Sequence, residues 1–114
     1  MMRDINRVQL LGHLGADPER RSTSSDRAVV TFSLATTRKW KNDAGDLQEA
    51  TEWHRVVAWG PLGDLVSEHL RKGSAALVDG RLQSRSWTAD DGTERRSTEI
   101  VARDVNFISP RPAS

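Results

Sequence analysis

The fold is decided by residues 48–73, QEATEWHRVVAWGPLGDLVSEHLRKG, in which a strand pattern changes into a helix pattern. Over residues 48–59 the side chains alternate with the two-residue period of a β-strand. Over residues 61–72 apolar residues recur at helical spacing, and Pro61 suits the first turn of a helix. Gly73 stands where a left-handed C-cap is expected. This stretch therefore predicts a strand followed directly by a helix.

Four other segments show the two-residue alternation that indicates half-buried strands. In chain order they are residues 6–14, 28–40, 75–87 and 97–108. Residues 15–27 are predicted to form a loop, and turns are expected at 42–46 and around Asp91-Gly92. The predicted order is three strands, one helix and two strands. This is the topology of the all-β, five-stranded OB barrel, with one helix between strands 3 and 4 and a sheet face that binds oligonucleotides.

The composition limits the possible functions but does not choose among them. The 114 residues suffice for one domain, and 17 Lys and Arg against 16 Asp and Glu give a net charge of only +1. Nucleic-acid binding must therefore depend on local clusters of cations, 14 of which are Arg. The chain has no Cys, which excludes thiolate sites, and no apolar run approaches the about 20 residues of a membrane span. The start of the chain lacks the pattern of a signal peptide, so a cytoplasmic location is expected.

Each of the four tryptophans stands beside cations or polar side chains instead of within an apolar run. They are Trp40, Trp53, Trp59 and Trp87. A flat ring beside a positive charge suits an unpaired base whose phosphate meets a neighbouring side chain. Alternation places Trp53, Arg55 and Trp59 on one face of the third strand, whereas Trp40 shares the parity of apolar Phe32 and needs a bulge or a position beyond the core. Large aromatics also fill cores, but the polar neighbours of all four favour a sequence-tolerant binder of single-stranded nucleic acid.

Several cations share segments with the tryptophans and are candidate phosphate contacts. They are Arg38, Lys39, Lys41, Arg55, Lys72, Arg81 and Arg85. Alternation places Arg81, Arg85 and Trp87 on one face of the fourth strand, with Leu82 on the opposite, apolar face. The fourth strand is therefore expected to have one face in the core and one in a binding groove.

The sequence lacks the usual patterns of catalytic and metal sites. His13, His54 and His69 lie on separate predicted elements without metal-ligand spacing, and Asp90-Asp91 belongs to a predicted hairpin turn. No serine stands in a nucleophile elbow, and no glycine-rich loop opens a helix. We predict a protein that is not an enzyme and has no metal and no cofactor. Two alternatives stay open: an RNA-preferring or primosomal OB protein, and an assembly module whose tryptophans lie at a protein interface.

Four blocks of the sequence resemble the bacterial and mitochondrial single-stranded DNA-binding proteins. They are NRVQLLGHLGADPE at Asn6–Glu19, TEWHRVV at Thr51–Val57, LRKGS at Leu70–Ser74 and DGRLQSRSW at Asp79–Trp87. The resemblance covers about residues 3–109, and its most specific block is TEWHRVV. It implies sequence-nonspecific protection of single-stranded DNA during replication, repair and recombination, with bases stacked on the four tryptophans. It also implies a homotetramer, a dimer of dimers, in the bacterial nucleoid.

The resemblance further implies the domain limits and some differences in binding. We expect an OB domain over residues 1–109 and a short disordered tail at 110–114. Trp59 stands where many family members have Phe, whereas Pro61 and Gln83 stand where members often carry cations, so two phosphate contacts are expected to be missing. The sequence shows no long Gly-, Pro- and Gln-rich tail with an acidic tip, so recruitment of replication and repair enzymes through such a tail is not expected.

Overall fold

The computed structural model describes residues 3–108, most of which lie in strands. In chain order the elements are β1 (Val8–Leu14), β2 (Glu19–Ser22), β3 (Ala28–Lys41), β4 (Leu47–Trp59), α1 (Gly60–His69), β5 (Ala75–Thr88) and β6 (Glu94–Phe107). The five long strands appear in the predicted order, and α1 follows the third of them, β4. The tail predicted at 110–114 lies outside the described residues.

The sheet closes on itself to form a barrel. Its strand order is β1-β5-β6-β4-β3-β2, and β1 also pairs with β3. β1 lies antiparallel to β5 over Val8–His13 and then pairs with β3 through His13 and Leu14. Between β4 and β6 the ladder is parallel, and the other ladders are antiparallel. The predicted all-β OB barrel is confirmed, with five long strands around the closed sheet.

The short strand β2 corrects the prediction of a loop throughout residues 15–27. β2 pairs with Ala28–Thr31 of β3, on the edge that β1 contacts further along at Leu34 and Ala35. The chain therefore follows one edge of β3 twice, first as β1 and then as β2. The sequence of β2, ERRS, has no apolar alternation because all of its residues are exposed. Its strand conformation depends on pairing with β3, which the local sequence pattern does not reveal.

The helix ends earlier than predicted. The apolar spacing predicted a helix over 61–72, whereas α1 spans Gly60–His69. Leu70 is the C-cap, with extended backbone at φ −105°, and its N–H donates to the carbonyl oxygen of Val66. The prediction of Gly73 as C-cap was wrong, although Gly73 does adopt a left-handed φ of 89° in the following turn. The side chain of Leu70 is fully buried in the core, so it contributes to packing as an extended residue.

The interior of the barrel is filled by apolar side chains from β1, from β3 to β6 and from α1. The core residues are Leu14, Val30, Phe32, Leu34, Val56, Ala58, Val66, Leu70, Ala76, Val78, Ile100, Ala102 and Val105. In β3, β4 and β5 the core residues are all even-numbered, so the odd-numbered residues of these strands point away from the barrel axis. We call the surface formed by these odd-numbered residues the outer face.

Two hairpins extend beyond the core. The β3–β4 ladder continues without interruption to Lys41 and Leu47, and β3 is exposed from Arg38 onward. The β5–β6 ladder likewise continues to the end of both strands. Leu82 was expected to be buried, but 48% of it is exposed. Leu82 has the parity of the core residues. It lies, however, in the part of β5 that extends beyond the barrel, where most residues are exposed.

Replacing Gly12 is expected to destabilise the closed barrel. A Cβ at this position would lie 2.1 Å from the carbonyl oxygen of Ala35, because β1 passes close to the backbone of β3 there. We expect Gly12→Ala to lower the free energy of unfolding by about 1–3 kcal/mol, the usual cost of overpacking. Urea denaturation measures this change. The control Gln9→Ala, at an exposed position on the same strand, should stay within about 0.5 kcal/mol of the wild type. Equal stability of the two variants would contradict the close approach of β1 and β3.

Candidate nucleic-acid interface

All four tryptophans lie on the long strands and outside the hydrophobic core. The exposed fraction is 62% for Trp53, 44% for Trp87 and 41% for Trp40, and Trp59 is half-buried. Large rings that are this exposed do not stabilise the barrel by burial. The alternative in which the tryptophans simply fill the core is therefore excluded.

The outer face brings together predicted residues from two strands. They are Trp53, Arg55 and Trp59 on β4, and Arg81, Arg85 and Trp87 on β5. β6 joins the two strands, because Val101 pairs with Val57 of β4 on one side and with Arg81 of β5 on the other. Both sets of residues therefore lie on the same side of the sheet, which is continuous through β6 at Val57 and Arg81. Alternation predicted each set, but only the sheet topology relates the two.

Trp40 lies on the other face of the β3–β4 hairpin. Because the ladder has no bulge, Trp40 keeps the parity of the core residues and reaches solvent by lying beyond the core. Arg38 shares that face, and its guanidinium lies 4.7 Å from the centroid of the Trp40 ring. Lys39 and Lys41 have the opposite parity and extend the outer face. Trp40 and Trp53 therefore point to opposite sides of one hairpin.

The Trp53 ring is seated on the backbone of Gly15, in the bend between β1 and β2. A Cβ at Gly15 would lie 2.4 Å from Cζ3 and 2.8 Å from Cη2 of Trp53. The ring can occupy this position only because residue 15 has no side chain. Trp53 is thus supported on one side by the backbone and open to solvent elsewhere, which gives it the properties of a fixed stacking platform.

Each of the other three tryptophans has an arginine over its ring. The guanidinium carbon lies 4.8 Å from the ring centroid for Arg27 and Trp59, 4.7 Å for Arg38 and Trp40, and 5.2 Å for Arg85 and Trp87. These distances are within the about 6 Å of a cation–π interaction. Each pair places a positive charge beside a flat aromatic surface. A nucleotide needs this combination, because its base stacks on the ring while its phosphate contacts the nearby charge.

Arg55 has a partner within the protein. Its Nε lies 3.4 Å from Oε2 of Glu99, whose side chain is only 7% exposed. A buried carboxylate that loses its cation is strongly destabilised, so Glu99 holds Arg55 in place. The sequence predicted Arg55 as a phosphate contact between two tryptophans. The structure places it there, but with much of its charge balanced by Glu99.

The remaining predicted cations differ in their surroundings. Arg81 donates a 2.9 Å hydrogen bond from Nη1 to Oε1 of Gln83, which shares the outer face. Lys72 lies in the turn after α1, and its backbone N–H donates to Asp17, so the structure does not place it on the strands with the tryptophans. Sequence reasoning missed Arg95, which lies directly opposite Trp87 in the β5–β6 ladder.

A cluster at the Asp79–Gly80 bulge uses two further arginines. Arg7 donates to Asp79 at 2.9 Å and Arg103 donates to it at 3.1 Å. The hydrogen bond from Arg7, followed by that from Arg103, lowers the pKa of the Asp79 carboxyl below its usual value. Asp79 therefore stays ionised at neutral pH and balances part of the charge of both guanidinium groups. This arrangement tightens the β1–β5–β6 contact, and these two arginines were not predicted as contacts.

The three histidines do not form a cluster. His54 Nε2 lies 2.8 Å from the Thr36 hydroxyl, His69 stacks against Phe107 at 5.1 Å, and His13 is exposed on β1. Between residues 3 and 108 no group of three or more His, Cys, Asp or Glu side chains could hold a metal ion. In the same range no helix is long and apolar enough to cross a membrane.

The chain is similar in sequence to proteins named as single-stranded DNA-binding proteins. The chain is 49% identical over 112 residues to single-stranded DNA-binding protein 1 of Chlorobaculum tepidum, which covers 97% of this chain and 69% of that protein. It is 45% identical over 111 residues to single-stranded DNA-binding protein 1 of Xylella fastidiosa. This alignment covers 96% of this chain and 82% of that protein.

Solved structures share the barrel. The Plasmodium falciparum SSB in its complex with ssDNA superimposes with a TM-score of 0.86 at 30% identity, over 96% of this chain and 99% of that one. A deletion mutant of the single-stranded DNA binding protein from Thermus aquaticus gives a TM-score of 0.81 at 28% identity, over 96% and 53%. The sequence itself matches one protein family from residue 5 to residue 108. This chain therefore belongs to the Single-strand binding protein family.

Proposed function

We propose that this chain binds single-stranded DNA without reading its sequence and protects it during replication, repair and recombination. The observation that carries the proposal is the outer face, on which Trp53, Trp59 and Trp87 lie beside Arg81 and Arg85. Rings stack on any base because every base has a π-face, so recognition by stacking tolerates all sequences. Support also comes from relatives that are named single-stranded DNA-binding proteins and from a solved relative in complex with ssDNA.

The tryptophans differ in how each can stack a base. Trp53 is the most exposed and is held by the backbone of Gly15, so a base can stack on it with little loss of side-chain freedom. Trp59 and Trp87 each have an arginine over the ring, so a base that stacks there lies beside a positive charge. Trp53 and Trp59 are six residues apart along β4, or about 20 Å at 3.3 Å per residue. The intervening nucleotides therefore lie over the Arg55–Glu99 pair.

Local charge supplies the attraction to phosphates. The whole chain has a net charge of only +1, but charges further away than about 10 Å are screened at moderate salt. Among the predicted contacts, the cations that lie on the tryptophan-bearing strands and form no ion pair within residues 3–108 are Arg38, Lys39, Lys41, Arg81 and Arg85. Arg55 contributes less because of Glu99, and Lys72 contributes only if the strand continues past α1.

Binding of this kind needs no catalytic group, metal ion or cofactor, and we propose that the chain is not an enzyme. We assign the activity to an OB domain over residues 1–109 that acts in the bacterial nucleoid. A binder of single strands and an assembly module give opposite results when an oligonucleotide is added and tryptophan fluorescence is measured. A base that stacks on Trp53 or Trp87 quenches its fluorescence, whereas an assembly module would show no change when an oligonucleotide is added.

We further propose that four copies assemble as a dimer of dimers. One OB unit provides a path of only about 4–16 nucleotides, so wrapping a long strand requires several copies. β1 offers a suitable contact, because within residues 3–108 no strand pairs with the second edge of residues 8–12. An open strand edge is a template for pairing with another chain. Leu11, in the middle of β1, is 60% exposed and would be covered by such a contact.

Loss of the Trp53 ring is expected to weaken binding to an oligo(dT) strand. We expect Trp53→Ala to cost about 1–3 kcal/mol, the range for one lost base stack. Gly15→Ala should weaken binding in the same direction, because the added Cβ displaces the ring without removing it. Fluorescence anisotropy of a labelled strand measures both affinities. Full affinity of Trp53→Ala in a folded protein would show that bases do not stack there.

Trp53→Phe is the matched control for these variants. It keeps an aromatic surface on β4, so it should retain more affinity than Trp53→Ala. Circular dichroism and thermal melting test whether each variant keeps the barrel. Since Trp53 lies outside the core, its replacement should leave the melting temperature almost unchanged.

The affinity for single strands should fall with salt. Each phosphate that is neutralised on a single strand contributes about 0.7 to the negative slope of log affinity against log salt. The five predicted cations that form no ion pair within residues 3–108 should therefore contribute about −3.5 to the slope. Arg81→Ala combined with Arg85→Ala should reduce its magnitude by about 1.4. A slope near zero would refute the electrostatic part of the proposal.

The oligomeric state tests the proposed assembly directly. Light scattering at micromolar concentration should give the mass of four copies of the 12.7 kDa chain. Leu11→Arg should shift that mass downward, since a charge at the centre of β1 opposes pairing of two copies. Leu47→Arg, at an equally exposed leucine on the β3–β4 hairpin, is the control and should leave the mass unchanged. A monomeric wild type would overturn the assembly while leaving DNA binding open to its own test.

A further inference from the structure

The end of β4 carries a contact that the sequence did not suggest. Arg27 lies just before β3, and its guanidinium carbon is 4.8 Å from the centroid of the Trp59 ring. Trp59 pairs with Val29 across the β3–β4 ladder, and Arg27 has the same parity as Val29. The Arg27 side chain therefore extends the outer face past the last residue of β4. Sequence reasoning assigned this residue to a loop and gave it no role.

The backbone of the turn holds Arg27 in this position. The N–H of Arg27 donates to the Thr23 hydroxyl at 3.2 Å, and its carbonyl oxygen accepts the N–H of Thr23 at 2.9 Å. Asp26 has a φ of 61°, a left-handed conformation that reverses the chain immediately before Arg27. Its N–H donates to the carbonyl oxygen of Thr23. The residue is thus presented by an ordered turn and not by a freely moving segment.

The charge of Arg27 is available to a ligand. Its neighbours on β2 are both paired, Arg20 with Asp64 at 3.0 Å and Arg21 with Glu19 at 3.8 Å. Arg27 is exposed and forms no ion pair with any carboxylate in residues 3–108. Arg55, the predicted contact near Trp59, is tied to buried Glu99. At this end of the outer face the unpaired cation is therefore Arg27.

We propose that Arg27 is a DNA-contacting residue that extends the binding path past Trp59 to the turn at residues 23–27. This inference rests on the proposed binding of single-stranded DNA. The Arg27 guanidinium lies over the half-buried Trp59 ring, so the phosphate of a nucleotide stacked at Trp59 is within reach of that charge. The ligand at this point is the sugar-phosphate backbone of the strand that occupies the outer face. Its recognition does not depend on the identity of the base.

The test compares three variants of the full chain: Arg27→Ala, Arg27→Lys and Arg20→Ala. Arg20 is the matched control, because it lies on the same edge of β3 but has the opposite parity and faces Asp64 of α1. Affinities for oligo(dT) are measured at salt concentrations from 50 to 200 mM. Thermal melting accompanies each titration. Arg27→Ala should melt close to the wild type, because the Arg27 side chain makes no hydrogen bond within residues 3–108, whereas Arg20→Ala also removes the exposed Arg20–Asp64 ion pair.

The expected result is a change in the salt dependence. Arg27→Ala should reduce the magnitude of the log–log slope by about 0.7, the contribution of one phosphate contact on a single strand. Over the fourfold change in salt, the affinity advantage of the wild type should therefore shrink by about 2.6-fold. Arg27→Lys should keep the wild-type slope, since it keeps the charge. Arg20→Ala should match the wild type in slope.

Three results would overturn the proposal, and they are distinguishable. If Arg27→Ala has the affinity and slope of Arg20→Ala while Trp53→Ala weakens binding, Arg27 does not contact DNA, although the proposed function stands. If the wild type neither binds oligo(dT) nor shows quenching of tryptophan fluorescence, the proposed function and this inference both fall. If Arg27→Lys loses as much slope as Arg27→Ala, the effect is not due to the charge, and the phosphate contact is wrong.

Discussion

Closure of the barrel is the constraint on which the binding surface depends. Once β1 pairs with β3, the interior is sealed and filled, and each strand has only one side left for other purposes. In β3, β4 and β5 the residues that alternate with the core point away from it, and all except Val57 are at least partly exposed, so Trp53 and Trp87 come to the same side of the sheet although their strands are distant in sequence. The close approach at Gly12 and the exposed ring of Trp53 are thus two results of the same geometry.

The arginines give the aromatic surface its preference for a charged polymer. A bare ring would attract apolar ligands of many kinds, whereas a ring with a guanidinium beside it favours a ligand that is flat and anionic at neighbouring points. Arginine suits this role because its planar group stacks and keeps its charge at any physiological pH. Trp53 differs: no arginine of residues 3–108 lies over its ring, which is instead supported by the backbone at Gly15. At Trp59 and Trp87 the aromatic surface has a positive charge directly over it, whereas at Trp53 the ring stands without one.

Much of this arrangement could be predicted from the sequence, and the failures have a common cause. Alternation and the change of period after Trp59 identified the long strands and the helix, because both signals are local. β2 was missed because its strand conformation comes from pairing with β3. The prediction for Arg55 was incomplete because its partner, Glu99, is 44 residues away in the sequence. Arg27 was missed for the same reason: nothing in its own neighbourhood shows that the register of β3 and β4 brings it over Trp59. Contacts between distant residues decided every one of these cases.

The position of Trp40 has a consequence for the path of the DNA. Trp40 and Trp53 lie on opposite faces of the β3–β4 hairpin, so a strand that stacks on both must pass around an edge of that hairpin. β3 and β4 both extend beyond the core here, so both faces of the hairpin are accessible to solvent. Lys39 and Lys41, on the outer-face side, and Arg38, beside Trp40, place cations on both faces of this crossing. A flexible single strand can bend around such an edge, whereas a stiff duplex cannot, because its persistence length is about 150 base pairs. In the proposed binding mode, the hairpin therefore favours single strands through their flexibility, in addition to the preference that base stacking provides.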